Sequence, residues 1–269
     1  MQAYRVLQGF MNKIGLTLPL QPISVTLFIA YLQTQYSCST VVTYISALSF
    51  FHKLHGYPDP TQHFLVIKSL AGLKKISLKI DIRLPITLDI LYCLVQNLDK
   101  MSLHVYDKCM YQAMFCLAFF GFLRVSEFTS CSGSSHSITF DNVSISPQFI
   151  AITMHSFKHS KSSTIITIPP HTSNPVICPI SNLSIYVAKR GHLPGPLFIH
   201  RCQKPVTRSQ FTKVLVSTLN LSNLDSSRYK GHSFRIGAAT FYMQQGWSDA
   251  QIRKQGRWNS NAFQAYIRP

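Results

Sequence analysis

Apolar residues recur at helical spacing through the first third of the chain. Residues 23–32 carry one such stripe, and a segment opening at Ser39 places Val41, Tyr44, Ile45, Leu48 and Phe51 on one face. The run Gly56-Tyr-Pro58-Asp-Pro60 breaks the pattern. A third helical segment, residues 62–73, ends in Lys74-Lys75, and residues 76–84 read as an extended linker closed by Pro85. Periodicity then restarts, with Thr87 as N-cap for a helix over 88–96 and a long, largely buried helix predicted over 103–123. Beyond it the period changes. Ile138-Thr-Phe140, Val143-Ser-Ile145 and residues 149–154 alternate or cluster β-branched and aromatic side chains, and 164–168 adds a strand before Pro169-Pro170. The connection between the last two strands, 155–163, holds Lys158 and Lys161. Helices resume over 181–189, 207–219, 232–245 and 249–255, and the chain shows neither an internal repeat nor a low-complexity tract. Two domains are expected: a helical one over residues 1–83, and a second over 84–269 in which a small sheet sits among helices.

Charge narrows the class of partner. The chain has 26 Lys+Arg against 9 Asp+Glu and a formal net charge of +17, well beyond what solubility requires, so a polyanion is the expected partner. Hydrophobic residues make up 46% of the sequence and aromatics 12%, enough to offset the entropy of ordering, which excludes a disordered basic tail. The basic residues are scattered through periodic apolar segments, as on folded surfaces that face a nucleic-acid backbone; a ribosome-associated or membrane-surface protein would share that charge. The longest apolar run, 113–123, lies between Lys108 and Arg124 and is short of the roughly 20 residues a bilayer span needs, so it reads as a core helix. The N-terminus, Met1-Gln-Ala-Tyr-Arg5, lacks the apolar core of a secretory signal. Seven cysteines without a Cys-x-x-Cys pair point to reduced thiols in an intracellular protein, and Cys131 with His136 lacks the second ligand pair of a metal site.

The candidate chemistry gathers in residues 231–269. His232 and Arg235 are three apart, so on a helix they share a face and can offer an imidazole and a guanidinium fork to one phosphate. Arg257-Trp258 precedes Tyr266 near the end of the chain, a layout that suggests phosphate chemistry by a tyrosine nucleophile. Metal-dependent nucleases hold two metals with clustered carboxylates, whereas here nine acidic residues are thinly spread and Glu127 is the one glutamate. A phosphate-cradling Gly-x-x-x-x-Gly-Lys loop is also missing.

Phe122-Leu-Arg124-Val-Ser-Glu127, Ser160-Lys161, His232-Ser-Phe-Arg235, Gly256-Arg-Trp258 and Tyr266, in this order and spacing, resemble the tyrosine recombinases, or phage integrase family. The N-terminal run Ser39-Thr-Val-Val-Thr-Tyr-Ile-Ser-Ala-Leu48 is similar to that family's core-binding domain, and the wording of the motifs is closest to Crypton-like recombinases of eukaryotic mobile elements. The fold so implied is mainly α with a small antiparallel β-sheet (α+β): a helical, SAM-like core-binding domain over 1–83 and a catalytic domain over 84–269. The resemblance implies a site-specific recombinase or integrase that breaks and rejoins duplex DNA through a 3′-phosphotyrosyl intermediate, with type IB topoisomerase-like chemistry and with neither metal, ATP nor other cofactor.

Carried over position by position, Tyr266 becomes the nucleophile and Arg124 and Arg235 the guanidiniums that bind the non-bridging oxygens. Lys161 becomes the general acid for the departing 5′-oxygen. Lys158, one turn away, is its rival, and whichever lysine is not the acid would contact DNA backbone. His232 would assist proton transfer or hydrogen-bond the phosphate. Trp258 can donate a single hydrogen bond and cannot relay protons, so it would position phosphate and pack. Glu127 would orient Arg124 or a neighbouring helix. Read without the resemblance, Arg124 could end the buried helix at its favourable pole, Glu127 could be a surface charge, and Trp258 and Tyr266 could be core. The implied partners are double-stranded DNA and further copies of the chain in a tetramer, inside the cell, and in the nucleus if the source is eukaryotic. Many members of the family continue beyond the tyrosine into a segment that docks on a neighbouring subunit; here three residues follow Tyr266. Competing classes are a relaxing topoisomerase and a non-cleaving DNA-binding descendant, against which stands the fact that each catalytic position is filled.

Overall fold

The computed structural model describes residues 2–77, 81–130, 138–155 and 163–268. The chain divides into two compact units, Met1–Asp81 and Ile82–Pro269.

The first unit is built of α1 (Gln2–Ile14), α2 (Pro22–Gln33), α3 (Cys38–Leu54) and α4 (Phe64–Ile76). Pro22 opens α2 in its first turn, where a missing N–H costs nothing. Ser37 caps α3 by accepting from the Thr40 N–H at 3.4 Å. The stripe Val41, Tyr44, Ile45 and Leu48 is buried as its spacing predicts, but His52, not Phe51, completes the buried face. That imidazole is a satisfied core residue: Nδ1 lies 3.0 Å from the Leu48 carbonyl, and Nε2 accepts from the Leu20 N–H at 3.1 Å. Helix α4 takes Ile76 into its last turn, so the predicted linker begins later than its composition suggests.

The second unit opens with α5 (Leu88–Asn97), capped by Thr87 as predicted, with its hydroxyl accepting from the Ile90 N–H at 3.3 Å. Next comes α6 (Val105–Phe120), buried on nearly all sides from Cys109 to Phe120, the signature of a central core helix. The predicted extension of α6 to residue 123 is not made. Leu123 N–H bonds the Ala118 carbonyl at 3.2 Å and Phe122 N–H that of Phe119 at 3.1 Å, a Schellman ending with Phe122 at φ +49° in the left-handed position glycine usually takes. Arg124 therefore sits at the start of the next helix, α7 (Val125–Phe128), and not at the end of α6.

Strands β1 (Val143–Ile145), β2 (Ile150–Met154) and β3 (Thr164–Ile168) form an antiparallel sheet in that order, with Ile152 opposite both Val143 and Ile166. Ile150, Ile152, Met154, Ile166 and Ile168 are buried, so one face of the sheet lies on the core. The predicted strand over 138–140 is instead an isolated bridge followed by a 3-10 turn, because the Ile138 N–H is taken by the Glu127 carbonyl at 2.7 Å and its carbonyl by the Leu197 N–H at 2.9 Å. Met154 pairs with Thr164 at the end of the hairpin. Lys158 and Lys161, like Cys131 and His136, lie outside the described residues.

The unit is completed by α8 (Pro179–Arg190), α9 (Arg208–Leu221), α10 (Gly231–Gln244), α11 (Asp249–Gly256) and a 3-10 helix over Asn261–Tyr266. Among the described residues no helix is long and apolar enough to cross a membrane.

Candidate active site

Six of the residues singled out in the sequence, Arg124, Glu127, His232, Arg235, Trp258 and Tyr266, converge in the second unit, brought there by four separate stretches of chain. Arg235 sits at the centre, on the second turn of α10 and fully buried. Its Nη2 donates to the Gly256 carbonyl at 2.8 Å and its Nη1 to the Phe122 carbonyl. Gly256 ends α11, so the guanidinium meets the partial negative charge of that helix's C-terminus, while Phe122 lies in the left-handed turn that follows α6. The strained backbone of Phe122 turns its carbonyl to this use. Burial first, then the Arg124 and Arg257 charges, lowers the Arg235 pKa from the ordinary arginine value, yet a guanidinium remains a cation throughout the physiological range. Its Nε is buried without a partner among the described residues.

Two aromatic rings cover this cation. The Arg235 guanidinium carbon lies 4.4 Å from the Trp258 ring centre and 5.9 Å from that of Tyr266. The Trp258 and Tyr266 rings are 5.1 Å apart, and the Tyr266 ring lies 6.1 Å from the His232 imidazole at an interplanar angle of 30°. Tyr266 ends the 3-10 helix, which Phe263 anchors in the core at 0% exposure. Beyond it the Arg268 N–H bonds the Thr240 hydroxyl of α10 at 3.1 Å, tying the segment back to the helix that carries Arg235. Close packing holds Trp258: a β-carbon at Gly256 would lie 1.7 Å from its indole ring.

His232 stands in the first turn of α10, and a glycine brings that turn close to α7. A β-carbon at Gly231 would lie 2.3 Å from Val125 Cγ2, so glycine permits the approach of α10 to α7. Burial pushes the His232 pKa down to about 4, with the charges of Arg83, Arg235, Arg124 and Arg208 adding to the effect. The imidazole is therefore neutral near pH 7, and it becomes a better proton acceptor only when an anion offsets those charges. Four cations around one histidine, at the amino end of a long helix, form a field prepared for an anion.

Arg124 is the more exposed of the two predicted guanidiniums, with 19% of its side chain accessible. It occupies the N-cap of α7, where a cation faces the positive pole of the helix, and Glu127 resolves the conflict: Oε1 accepts from Arg124 Nη1 at 2.9 Å and Oε2 from the Arg124 N–H at 2.8 Å. Glu127 is buried, not a surface charge. Its Oε2 also accepts from Arg257 Nη2 at 2.7 Å.

Sequence reasoning assigned no role to Arg257 or to the Phe122 carbonyl. Both depend on left-handed residues after helix ends, at φ +56° and +49°. The available signal was the pair Gly121-Phe122 and Gly256-Arg257, a glycine one position before each such turn, together with a single glutamate shared among several arginines. Arrayed this way, the site can grip a phosphate with Arg124 and Arg235, present a phenol beside it, and receive a proton on His232.

A family model described as the phage integrase family matches residues 86–268. The chain is 25% identical over 264 residues to an integrase/recombinase xerD homolog of Selenomonas ruminantium, covering 90% of this chain and 72% of that protein. Among solved structures it is similar to the XerH site-specific recombinase bound to a palindromic difH substrate in a post-cleavage complex, with TM-score 0.69 and 13% identity over 92% of this chain and 69% of that one. The Tn1549 transposon integrase in complex with circular intermediate DNA gives TM-score 0.64 and 11% identity over 93% and 82%. A lambda integrase dimer bound to a core site gives 0.61 and 15% over 98% and 71%. At these identities the structural likeness is one of fold.

Proposed function

Since the chain belongs to the phage integrase family, we propose that it breaks and rejoins duplex DNA at specific sites by forming a 3′-phosphotyrosyl link through Tyr266. The observation that carries this assignment of the nucleophile is the gathering, within one chain, of the Tyr266 ring, the buried Arg235 guanidinium, Trp258 and His232.

In the step so assigned, the Tyr266 hydroxyl oxygen bonds to phosphorus as its proton passes to neutral His232. The bond from phosphorus to the 5′-oxygen breaks, and Lys161 protonates that oxygen to leave a free 5′-hydroxyl. Arg124 and Arg235 hold the non-bridging oxygens and stabilise the added negative charge of the pentacoordinate phosphorus, and Trp258 packs over Arg235 and fixes the phosphate. A 5′-hydroxyl from a second strand then attacks the phosphotyrosine and gives its proton to Lys161, while His232 returns its proton to Tyr266 as the bond from phosphorus to the phenolic oxygen breaks. One phosphoester replaces another at each step, so no nucleotide hydrolysis is needed. Lys158 contacts the DNA backbone, and residues 1–83 act as the core-binding domain that completes the grip on the duplex, where the excess of basic residues offsets phosphate charge. The same reading puts the protein inside the cell on double-stranded DNA, as a tetramer when two sites are paired, and in the nucleus if the source is eukaryotic. Nothing in the chemistry depends on the narrower likeness to Crypton-like recombinases.

A suicide DNA substrate, nicked so that the cleaved end diffuses away, tests this on denaturing gels. Wild-type protein is expected to form a covalent adduct that Tyr266→Phe abolishes and a chelator leaves unchanged. An adduct that survives Tyr266→Phe, or cleavage that a chelator stops, contradicts the reading.

A further inference from the structure

Arg257 touches none of the reacting groups, yet it is the most deeply embedded member of the charged cluster after Arg235. It ends α11 in the left-handed conformation, immediately before Trp258, and 1% of its side chain is exposed. Its Nη2 donates to Glu127 Oε2 at 2.7 Å and to the Phe122 carbonyl at 3.1 Å, and its Nη1 to the Gln255 carbonyl at 3.3 Å. Each of the first two acceptors is also held by an arginine of the site: Glu127 by Arg124, and the Phe122 carbonyl by Arg235. A single buried guanidinium thus shares one acceptor with each phosphate-binding arginine, and does so from the stretch of chain that leads to Tyr266.

Charge sharpens the point. Glu127 can neutralise one guanidinium, and the cluster holds three, Arg124, Arg235 and Arg257. Without Arg257, Glu127 and Arg124 would form a closed pair with weak attraction for an added anion. With Arg257 on the same carboxylate, Arg124 keeps uncompensated charge and a fixed orientation while its side chain stays accessible to a ligand.

We propose that Arg257 is a positioning residue for strand cleavage: through Glu127 and the Phe122 carbonyl it sets Arg124 and Arg235 against the scissile phosphate and clamps the Tyr266 segment to both. This rests on the reading of the site as a DNA-cleaving one. Arg257→Met removes the clamp, and Arg257→Lys keeps a cation but loses the planar fork.

The test measures single-turnover adduct formation on two suicide substrates, one with a normal scissile phosphodiester and one with a methylphosphonate there, in which a neutral methyl replaces a charged oxygen. A misplaced arginine matters less when less charge has to be neutralised. Arg257→Met is expected to slow adduct formation on the phosphodiester about 10²-fold, the scale of a misaligned reacting group, with DNA retention unchanged, and to lose much less on the methylphosphonate. Arg257→Lys should fall between it and wild type. Equal losses on both substrates would overturn the proposal, since a merely structural defect does not distinguish them. If Arg257→Met does not fold, Arg257→Lys decides alone: a methylphosphonate preference above wild type supports the clamp, and a wild-type preference with reduced rate overturns it. Failure of wild-type protein to form a Tyr266-dependent adduct would instead sink the functional reading itself.

Discussion

The two units bury different things. Among the described residues of the first, the buried polar side chains are Ser24, His52 and Thr61, none of them a permanent charge, and the core is otherwise apolar. The second buries Glu127, Arg190, Arg235 and Arg257. Removing a charge from water is costly unless it is matched, so a fold that keeps several inside has a reason to hold them there. Arg190 shows what a purely structural solution looks like: Nε bonds the Leu197 carbonyl at 2.9 Å, while Nη1 and Nη2 bond those of Gly191, Leu193 and Pro196 at 2.7 to 3.0 Å, which knits one loop to α8. Arg235 and Arg257 each leave a buried Nε unpartnered among the described residues, and both lie beside the candidate nucleophile or its segment. His200 Nε2 is the third such atom, so the missing partner alone does not single out the candidate site; the clustering of charge around Arg235 does.

The contrast can be broken most severely at Arg235. Arg235→Met retains the side chain's bulk and removes its charge, and is expected to lower the rate of adduct formation by about 10²–10³-fold, the effect of deleting one electrostatic stabiliser. A loss smaller than tenfold would place the buried cation outside the chemistry. Packing supplies the next test. A β-carbon at Gly237 would lie 1.8 Å from the Ile86 carbonyl oxygen, so Gly237→Ala should destabilise the second unit by about 3 kcal/mol through overpacking. Both tryptophans, Trp247 and Trp258, belong to that unit, so the midpoint of urea unfolding followed by their fluorescence reads it selectively.

A smaller effect comes from His232. Its folded pKa of about 4 is below the ordinary value near 6.5, so as pH falls the unfolded chain takes up the proton first. Stability of the second unit should decline from pH 6.5 toward 4, and His232→Gln should flatten the part of that decline above pH 5, where carboxylates contribute little. An unchanged slope in the variant would mean that the imidazole is not desolvated. The smallest change, and of opposite sign to the one at Gly237, is expected in the first unit: Gly72 lies within α4 with open space where a β-carbon would be, so Gly72→Ala should stabilise it by roughly 0.5–1 kcal/mol. Thermal melts by far-ultraviolet circular dichroism would register the shift, and destabilisation would show that this helix face is covered.

Much of the architecture was legible because it is written locally. Thr87 before an apolar stripe, the helical spacing over 23–32, and the change of period after residue 130 each report on a few neighbouring residues. The ordered arginine, histidine, tryptophan and tyrosine motifs named five positions that the fold brings to one place. What escaped was set by tertiary context. Phe122 and Arg257 take left-handed turns without glycine, so neither the true end of α6 nor the inward carbonyl could be read from composition. Residues 138–140 alternate like a strand, but their backbone is claimed by Glu127 and Leu197. Arg257 was visible only as part of a motif, because a buried arginine is recognised by its acid, and Glu127 lies 130 positions away.

The central claim is that Tyr266 becomes joined to DNA, and mapping the joined residue tests it most directly. Trapped adduct, digested with nuclease and trypsin, should yield the peptide of residues 258–269 carrying a nucleotide remnant on Tyr266 by tandem mass spectrometry. A remnant on any other residue, or on another peptide, would contradict the account.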